Sequence, residues 1–181
     1  NYKKETKNIL LIGDSVLMGV GLPDSCTISS YLFNLIQDSS YQVLNTGVIG
    51  YSIYDYFNVL RTWINKLDLK CIFLFYCLND VYRVNQFDQK VIKIQKHRDN
   101  LIIENILNFF RCYSKLYLFF KNILFKRGKV YFLYDYKIYK EDKERVRRGM
   151  DTIKLIQSIC KEKEIDFRLM LLPYKYQYTS S

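Results

Sequence analysis

The stretch NILLIGDS, Asn8–Ser15, decides the fold of this 181-residue chain. Its apolar part is continuous rather than alternating, and such a run is typical of a strand covered on both faces of a sheet. The run stops abruptly at Gly13, Asp14 and Ser15. The residues alone leave two interpretations open: an ordinary turn between a strand and a helix, or a serine placed for chemistry.

Two further segments, Tyr41–Asn45 and Cys71–Tyr76, each predict another strand, and the second of them is apolar throughout. Apolar residues recur at helical spacing between the strands, first over Ile28–Ile36 and then over Phe57–Leu67. The first 80 residues therefore predict the order β-α-β-α-β, with buried parallel strands at the centre of an α/β domain.

Residues that favour helix N-caps precede both predicted helices. Asp24 or Ser25 is expected to cap the first helix, and Ser52 is expected to cap the second. After residue 127, the tyrosine-rich segment Val130–Tyr139 is predicted to be a strand or an extended loop. The charged segment 140–164 predicts a helix, and Asp166–Leu172 predicts a further strand.

Residues 100–126 are strongly apolar, but charged residues such as Glu104, Arg111 and Lys115 interrupt them. A membrane span needs about 18 or more apolar residues with few charges, so we do not predict one here. A helix with such a narrow polar stripe is either well buried or lies in a membrane interface or partner groove, and burial is the commoner case.

The net charge of +10 is unevenly distributed. Residues 1–80 carry 6 Lys/Arg and 7 Asp/Glu, whereas residues 81–181 carry 22 and 11. The basic half suits an anionic surface such as membrane lipid or nucleic acid, although a solvated basic face is the simpler interpretation. The 5 cysteines form no CxxC pair, which argues against a disulfide scaffold or a zinc site. No signal peptide is visible, and the compartment stays open.

Three polar segments follow the three predicted strands. They are the first loop, Gly13–Ser15; the second loop, NTGVIG at Asn45–Gly50; and the third loop, CLND at Cys77–Asp80. The carboxyl ends of parallel strands lie at one edge of a sheet, where ligands bind in open α/β folds. We therefore expect a hydroxyl, a flexible backbone amide and a carboxamide to meet at this edge.

Those groups are the ones that acyl transfer needs. A serine hydroxyl attacks an ester carbonyl, and preorganised donors stabilise the oxyanion that forms. The sequence suggests Ser15 as the nucleophile, with the backbone N–H groups of Ser15 and Gly50 and the side-chain amide of Asn79 as donors. Asp14 and Asp80 are expected to shape their turns rather than to act as acid or base.

At these three segments the sequence resembles the SGNH, or GDSL, hydrolases, which are serine esterases and acyl hydrolases. IGDS matches the first block of that family, NTGVIG the second and CLND the third, although Cys77 replaces the usual glycine. The resemblance implies a flavodoxin-like three-layer α/β/α sandwich with a central, mainly parallel sheet and a helical insertion. It implies Ser15, Gly50 and Asn79 as catalytic residues and no metal or cofactor.

The resemblance extends well over residues 8–84 and more loosely over 141–172. We therefore interpret residues 1–181 as a single SGNH-hydrolase-like domain, with 85–140 as an insertion. The fourth block of the family, Asp-x-x-His, is absent, and the sole histidine, His97, stands in a charged segment at the wrong place for it. The expectation is a chain truncated before that block; the alternative is a degenerate member that binds without turnover.

The expected function is hydrolysis of a small-molecule, lipid or saccharide ester. Two alternatives remain: acyl transfer to a saccharide, or a non-catalytic module that docks on a membrane or partner through the basic half and the 101–125 helix. Nucleic acid is not an expected partner, because only the charge supports it and no recognisable nucleic-acid-binding module is present.

Overall fold

The computed structural model describes residues 6–81 and 127–178. Within them, four strands form one parallel sheet in the order β2-β1-β3-β4. The strands are β1, Lys7–Ile12; β2, Tyr41–Asn45; β3, Leu69–Tyr76; and β4, Asp166–Leu171. This order matches the first four strands of the flavodoxin-like arrangement. The predicted α/β class with a parallel sheet is confirmed, as are the three strands of the first half.

The central position of β1 explains its continuous apolar sequence. Leu10 pairs in register with Leu44 of β2 on one side and with Ile72 of β3 on the other. Leu10, Leu11 and Ile12 are fully buried, because neighbouring strands cover both edges of β1 and helices cover both of its faces. A strand in this position has no solvent-facing side and needs no polar alternation.

Helices lie on both faces of the sheet and form the three layers. They are α1, Ser15–Met18; α2, Ile28–Ile36; α3, Ile53–Trp63; α4, Arg127–Glu141; α5, Lys143–Glu162; and α6, Lys175–Tyr178. One core contains side chains of α3 and α5, such as Tyr56 and Ile156. The opposite core contains Leu11 and Phe75, with Leu32 of α2 packed against them.

The two predicted N-caps have different outcomes. Ser52 does cap α3, and its N–H and Oγ both donate to the Asp55 carboxylate, at 2.9 and 2.7 Å. The prediction for α2 was wrong, because Asp24 and Ser25 lie in a short 3-10 helix that ends before α2 begins. Thr27 caps α2 instead, with its Oγ1 accepting from the Ser30 N–H at 3.3 Å.

The tyrosine-rich segment was also wrongly predicted, since it forms helix α4. Its inward face carries the buried Asp135 and the half-buried Ile138 and Tyr139, at helical spacing. Its outward face carries apolar side chains, including Leu133 and Tyr136. Because a charged residue faces the core and apolar residues face solvent, the segment lacks the apolar period of 3.6 residues from which a helix is predicted.

The segment predicted to be a charged helix is confirmed as α5, and the last strand ends one residue earlier than predicted. Residues 82–126, which include most of the predicted insertion and the apolar helix at 100–126, lie outside the described residues. None of the described helices is long and apolar enough to cross a membrane. Among the cysteines described, Cys77 and Cys160 are buried, Cys71 is half-buried and Cys26 is exposed, all as free thiols.

Candidate active site

The candidate active site lies at the carboxyl edge of the sheet, between β1 and β3. The chain runs outward from β1 to β2 and then returns to place β3 on the other side of β1. Ligands in open parallel sheets bind in the crevice at such a reversal of strand order. Ser15 follows β1 and Asn79 follows β3, so the fold brings the two predicted side chains to the same crevice.

The first loop is a strand-to-helix turn that also delivers Ser15. Asp14 is the N-cap of α1, and its Oδ1 accepts a hydrogen bond from the Val16 N–H at 2.9 Å. Gly13 is required because a Cβ there would lie 2.9 Å from the Cβ of Leu17 and 3.2 Å from that of Phe75. This close packing of Gly13 against Leu17 and Phe75 fixes the backbone position at which α1 begins, and Ser15 is the first residue of that helix.

The second loop is hydrogen-bonded to the backbone of the first. Thr46 donates twice to the Leu11 carbonyl, from its N–H at 3.0 Å and from its Oγ1 at 2.7 Å. The Val48 N–H donates to the Gly13 carbonyl at 3.3 Å. These bonds hold the second loop beside the turn that carries Ser15.

Gly47 makes the closest approach between these two loops. A Cβ at this position would lie 2.6 Å from the Met18 backbone nitrogen and 2.9 Å from the Asp14 carbonyl oxygen. Only a glycine lets the two backbones come this near. Gly47 was not among the predicted site residues; the signal for it was the first glycine of NTGVIG, which was treated only as part of the segment.

Gly50, whose backbone N–H is one of the three predicted oxyanion donors, lies in a turn at the end of the second loop. It adopts φ of 79°, and the Tyr51 N–H donates to the Val48 carbonyl at 3.2 Å across that turn. Glycine suits this left-handed conformation. Within the described residues no hydrogen bond joins Gly50 to Ser15 or to Asn79, so its role stays a prediction.

The third loop is a short 3-10 turn, Leu78–Val81, closed by Asp80. The Asp80 Oδ2 accepts from the Cys77 N–H at 2.7 Å, and the Asp80 N–H donates to the Cys77 carbonyl at 3.1 Å. This confirms that Asp80 shapes its turn. The turn leaves the side chain of Asn79 facing the first loop, where its Nδ2 donates to Asp14 Oδ2 at 3.2 Å.

Asp14 is the group that joins two of the predicted site residues, Ser15 and Asn79. Its Oδ2 is 3.2 Å from Asn79 Nδ2 and 3.5 Å from Ser15 Oγ, while its Oδ1 holds the helix cap. The side chain is almost fully buried, since Asp14 is only 4% exposed. Asp14 was expected to shape only its own turn; the structure adds a contact to the third loop.

Polar groups that are cut off from solvent lie beneath the third loop. Asp80 is fully buried. Its Oδ1 and the Tyr56 hydroxyl have no hydrogen-bond partner among the described residues. The two groups nevertheless lie close enough for Tyr56 to affect the pKa of Asp80. Burial raises the pKa of Asp80 well above its usual value, and the Asp14 and Asp135 carboxylates raise it further. Hydrogen bonding to the Cys77 N–H opposes this rise in part.

Helix α4 contributes to the same buried layer through two pairs of polar side chains. The hydroxyls of Tyr76 and Tyr139 contact one another, and burial raises the pKa of Tyr139 to about 12. The Tyr174 hydroxyl donates to Asp135 Oδ2 at 2.6 Å. These contacts join α4 and the segment after β4 to the carboxyl edge of the sheet.

Aliphatic side chains are exposed on the segment that follows Ser15 and on the second loop. We call this group the aliphatic rim; it consists of Val16, Met18, Val20, Leu22, Val48 and Ile49. The exposures of its members run from 39% for Val48 to 61% for Ile49. At Gly47 the second loop approaches the backbone of Met18, which belongs to the rim.

The described residues do not provide a histidine. His97 is the chain's sole histidine and lies outside them. Burial raises the pKa of the Cys77 thiol, which keeps it protonated and a poor nucleophile. Within residues 6–81 and 127–178, no group of three His, Cys, Asp or Glu side chains is placed to hold a metal ion.

Comparison with known proteins gives a partial likeness. No protein-family model matches the chain, and no curated protein matches it. Solved structures similar to it include AlinE4, an SGNH-hydrolase family esterase, at 18% identity, and two single-residue mutants of that esterase at 18% and 17%. Each match covers 40% of this chain and 41% of the other, with a TM-score of 0.34.

Proposed function

We propose that this protein is a serine hydrolase of the SGNH type that cleaves a carboxylic ester. The observation that carries the proposal is the meeting of Ser15 and Asn79 on one carboxylate oxygen of Asp14, at the reversal of strand order. A hydroxyl and a primary amide from distant segments of the chain meet there, and the second loop, whose glycine backbone is the proposed further donor, packs beside the first loop. Acyl transfer uses that combination.

In the proposed mechanism, Ser15 Oγ attacks the carbonyl carbon of the ester. A base takes the hydroxyl proton; the family resemblance implies a histidine, which the described residues do not contain. The Ser15 N–H, the Gly50 N–H and the free N–H of the Asn79 amide stabilise the resulting oxyanion. Collapse expels the alcohol and leaves an acyl-serine, which water then hydrolyses to the acid and free Ser15.

The aliphatic rim supports an apolar acyl group on the substrate. Its side chains belong to the segment that follows Ser15 and to the second loop that packs beside it, and we propose that an acyl chain attached to Ser15 lies against them. Each buried methylene of such a chain contributes about 0.8 kcal/mol to binding. We therefore expect hexanoate and octanoate esters to be better substrates than acetate.

The test uses the full-length protein as its gene encodes it, with p-nitrophenyl acetate, hexanoate and octanoate. Ser15→Ala is expected to lower kcat by roughly 10⁴-fold or more, because removing the nucleophile abolishes the acyl-enzyme. Ser158→Ala, an exposed serine on α5, is the matched control and should retain the wild-type rate. Equal rates for wild type and Ser15→Ala would reject the esterase and favour a non-catalytic module.

A further inference from the structure

We propose that Asp14 is a positioning residue that fixes the orientation of the Asn79 amide. Its catalytic consequence rests on the proposed esterase function, whereas the contact itself does not. A primary amide has two N–H donors on one side and a carbonyl acceptor on the other, and both ends have similar size. Something must therefore decide which end of Asn79 faces the crevice.

The geometry gives that role to the Asp14 carboxylate. Its Oδ2 is an acceptor 3.2 Å from Asn79 Nδ2, so one N–H is used there. The flipped amide would place its carbonyl oxygen against the carboxylate, where two acceptors repel each other. In the observed orientation, the second N–H of Asn79 has no partner among the described residues and is available to an oxyanion.

Asp14 is itself held from several directions, which a positioning group requires. Its Oδ1 accepts from the Val16 N–H, and its backbone carbonyl accepts from the Met18 N–H at 3.0 Å. Gly47 lets the second loop pack directly on that carbonyl. Burial also strengthens the bond to Asn79, since a charge-assisted hydrogen bond gains from a low local dielectric.

The same arrangement argues against Asp14 as the base that activates Ser15. The Ser15 Oγ lies 3.5 Å from Asp14 Oδ2, at the outer limit of a hydrogen bond. Both oxygens of the carboxylate already accept a hydrogen bond, one from the Val16 N–H and the other from Asn79 Nδ2. Its negative charge would also oppose formation of an alkoxide beside it, so its contribution is orientation.

The first experiment measures the amide directly. In a ¹⁵N–¹H spectrum, the two side-chain NH₂ signals of Asn79 are assigned by their loss in Asn79→Ala. Asp14→Asn places an NH₂ donor opposite the Asn79 donor, so we expect these signals to shift and the backbone spectrum to stay folded. Unchanged Asn79 side-chain signals in a folded Asp14→Asn protein would overturn the proposal, whether or not the protein is an esterase.

The second experiment asks whether Asp14 acts through Asn79. Asp14→Asn should lower kcat by about 10²-fold, the effect of losing one oxyanion donor, with little change in KM. In the Asn79→Ala background the same substitution should have almost no further effect, because the amide it orients is gone. A purely structural role predicts equal losses in both backgrounds, and that result would overturn the proposal. Asp24→Asn, on an exposed residue, is the matched control.

A second variant covers the case in which Asp14→Asn fails to fold. Asp14→Ser keeps a side-chain oxygen to cap Val16 but is too short to reach Asn79. We expect the same shift of the Asn79 signals and the same loss of additivity with Asn79→Ala. Loss of esterase activity in Ser15→Ala but full activity in Asp14→Ser would reject the role of Asp14 and leave the proposed function standing.

Discussion

The first and third loops each place an aspartate after a buried strand, and the two carboxyl groups differ in what they contact. Both oxygens of Asp14 accept hydrogen bonds, and one of these bonds crosses to the third loop. Asp80 bonds only within its own loop and leaves one oxygen without a partner among the described residues. Helix capping and a neighbouring amide therefore suit Asp14 to organise the site, whereas Asp80 organises only the turn that carries Asn79.

The two aspartates differ most in one contact: the second loop packs at Gly47 against the backbone carbonyl of Asp14. Gly47→Ala adds a Cβ only 2.6 Å from the Met18 nitrogen and 2.9 Å from the Asp14 carbonyl, so backbone must move. We expect a loss of about 2–3 kcal/mol in the free energy of unfolding, as for other overpacked sites. Urea denaturation measures this loss, and the Asn79 side-chain NMR signals report whether the first loop has shifted.

The matched control for this prediction is Gly21→Ala. A Cβ at Gly21 meets nothing within 4 Å, and only its φ of 82° opposes an alanine. Its cost should be about 1–2 kcal/mol, from backbone strain alone. If Gly47→Ala were tolerated better than Gly21→Ala, the second loop would not support Asp14 and the contrast with Asp80 would be lost.

The protonation of Asp80 provides the next largest effect. Because its pKa is raised from 3.8 in the folded protein, the folded state binds more protons than the unfolded state above that pH. Its contribution to stability is therefore greatest below about pH 4 and falls by about 1.4 kcal/mol per pH unit as the pH rises towards the folded pKa. Asp80→Asn removes this fall, so the variant should gain stability relative to wild type as the pH increases.

Urea midpoints between about pH 4 and pH 8 measure that difference, since the slope of the transition should stay constant. Asp24→Asn is the control, because Asp24 is exposed and should show no such trend. A difference between Asp80→Asn and wild type that does not vary with pH would mean that the pKa of Asp80 is not raised in the folded protein.

The smallest expected effect concerns the thiol in the third loop. Cys77 is buried and the pKa of its thiol is raised, whereas Cys26 is exposed. Iodoacetamide should modify Cys77 at least roughly tenfold more slowly than Cys26 in the folded protein, and at a similar rate in urea. Peptide mass spectrometry measures both rates. Equal rates without urea would show that solvent reaches the buried layer around Asp80.

The sequence was sufficient for the parts of the fold that follow from local patterns. The continuous apolar runs predicted β1 and β3, because strands buried on both faces need no polar alternation. The shorter segment Tyr41–Asn45 predicted β2, which is half-buried at the end of the described sheet. The three segments after these strands predicted that Ser15 and Asn79 would share one edge of the sheet. The placement followed from the rule that parallel strands present their carboxyl ends together.

The errors and omissions concern contacts that no local pattern encodes. Helix α4 was not recognised because Asp135 lies on its buried face, where it contacts Tyr174. Gly47 and the bond from Asn79 to Asp14 depend on how closely separate loops approach, which the sequence does not specify. Thr27 replaced the expected caps of α2 because the chain first forms a short 3-10 helix.

The strand order also has a consequence for how the protein is made. Ser15, Gly47 and Asn79 all precede α4, so the ribosome releases the whole constellation before the later helices exist. One face of the young sheet is closed only when α5 delivers Ile153 and Ile156 to the core around Leu10 and Ile72. Before that point the apolar side chains that α5 covers lack this partner, and exposed apolar surface of this kind is what chaperones protect.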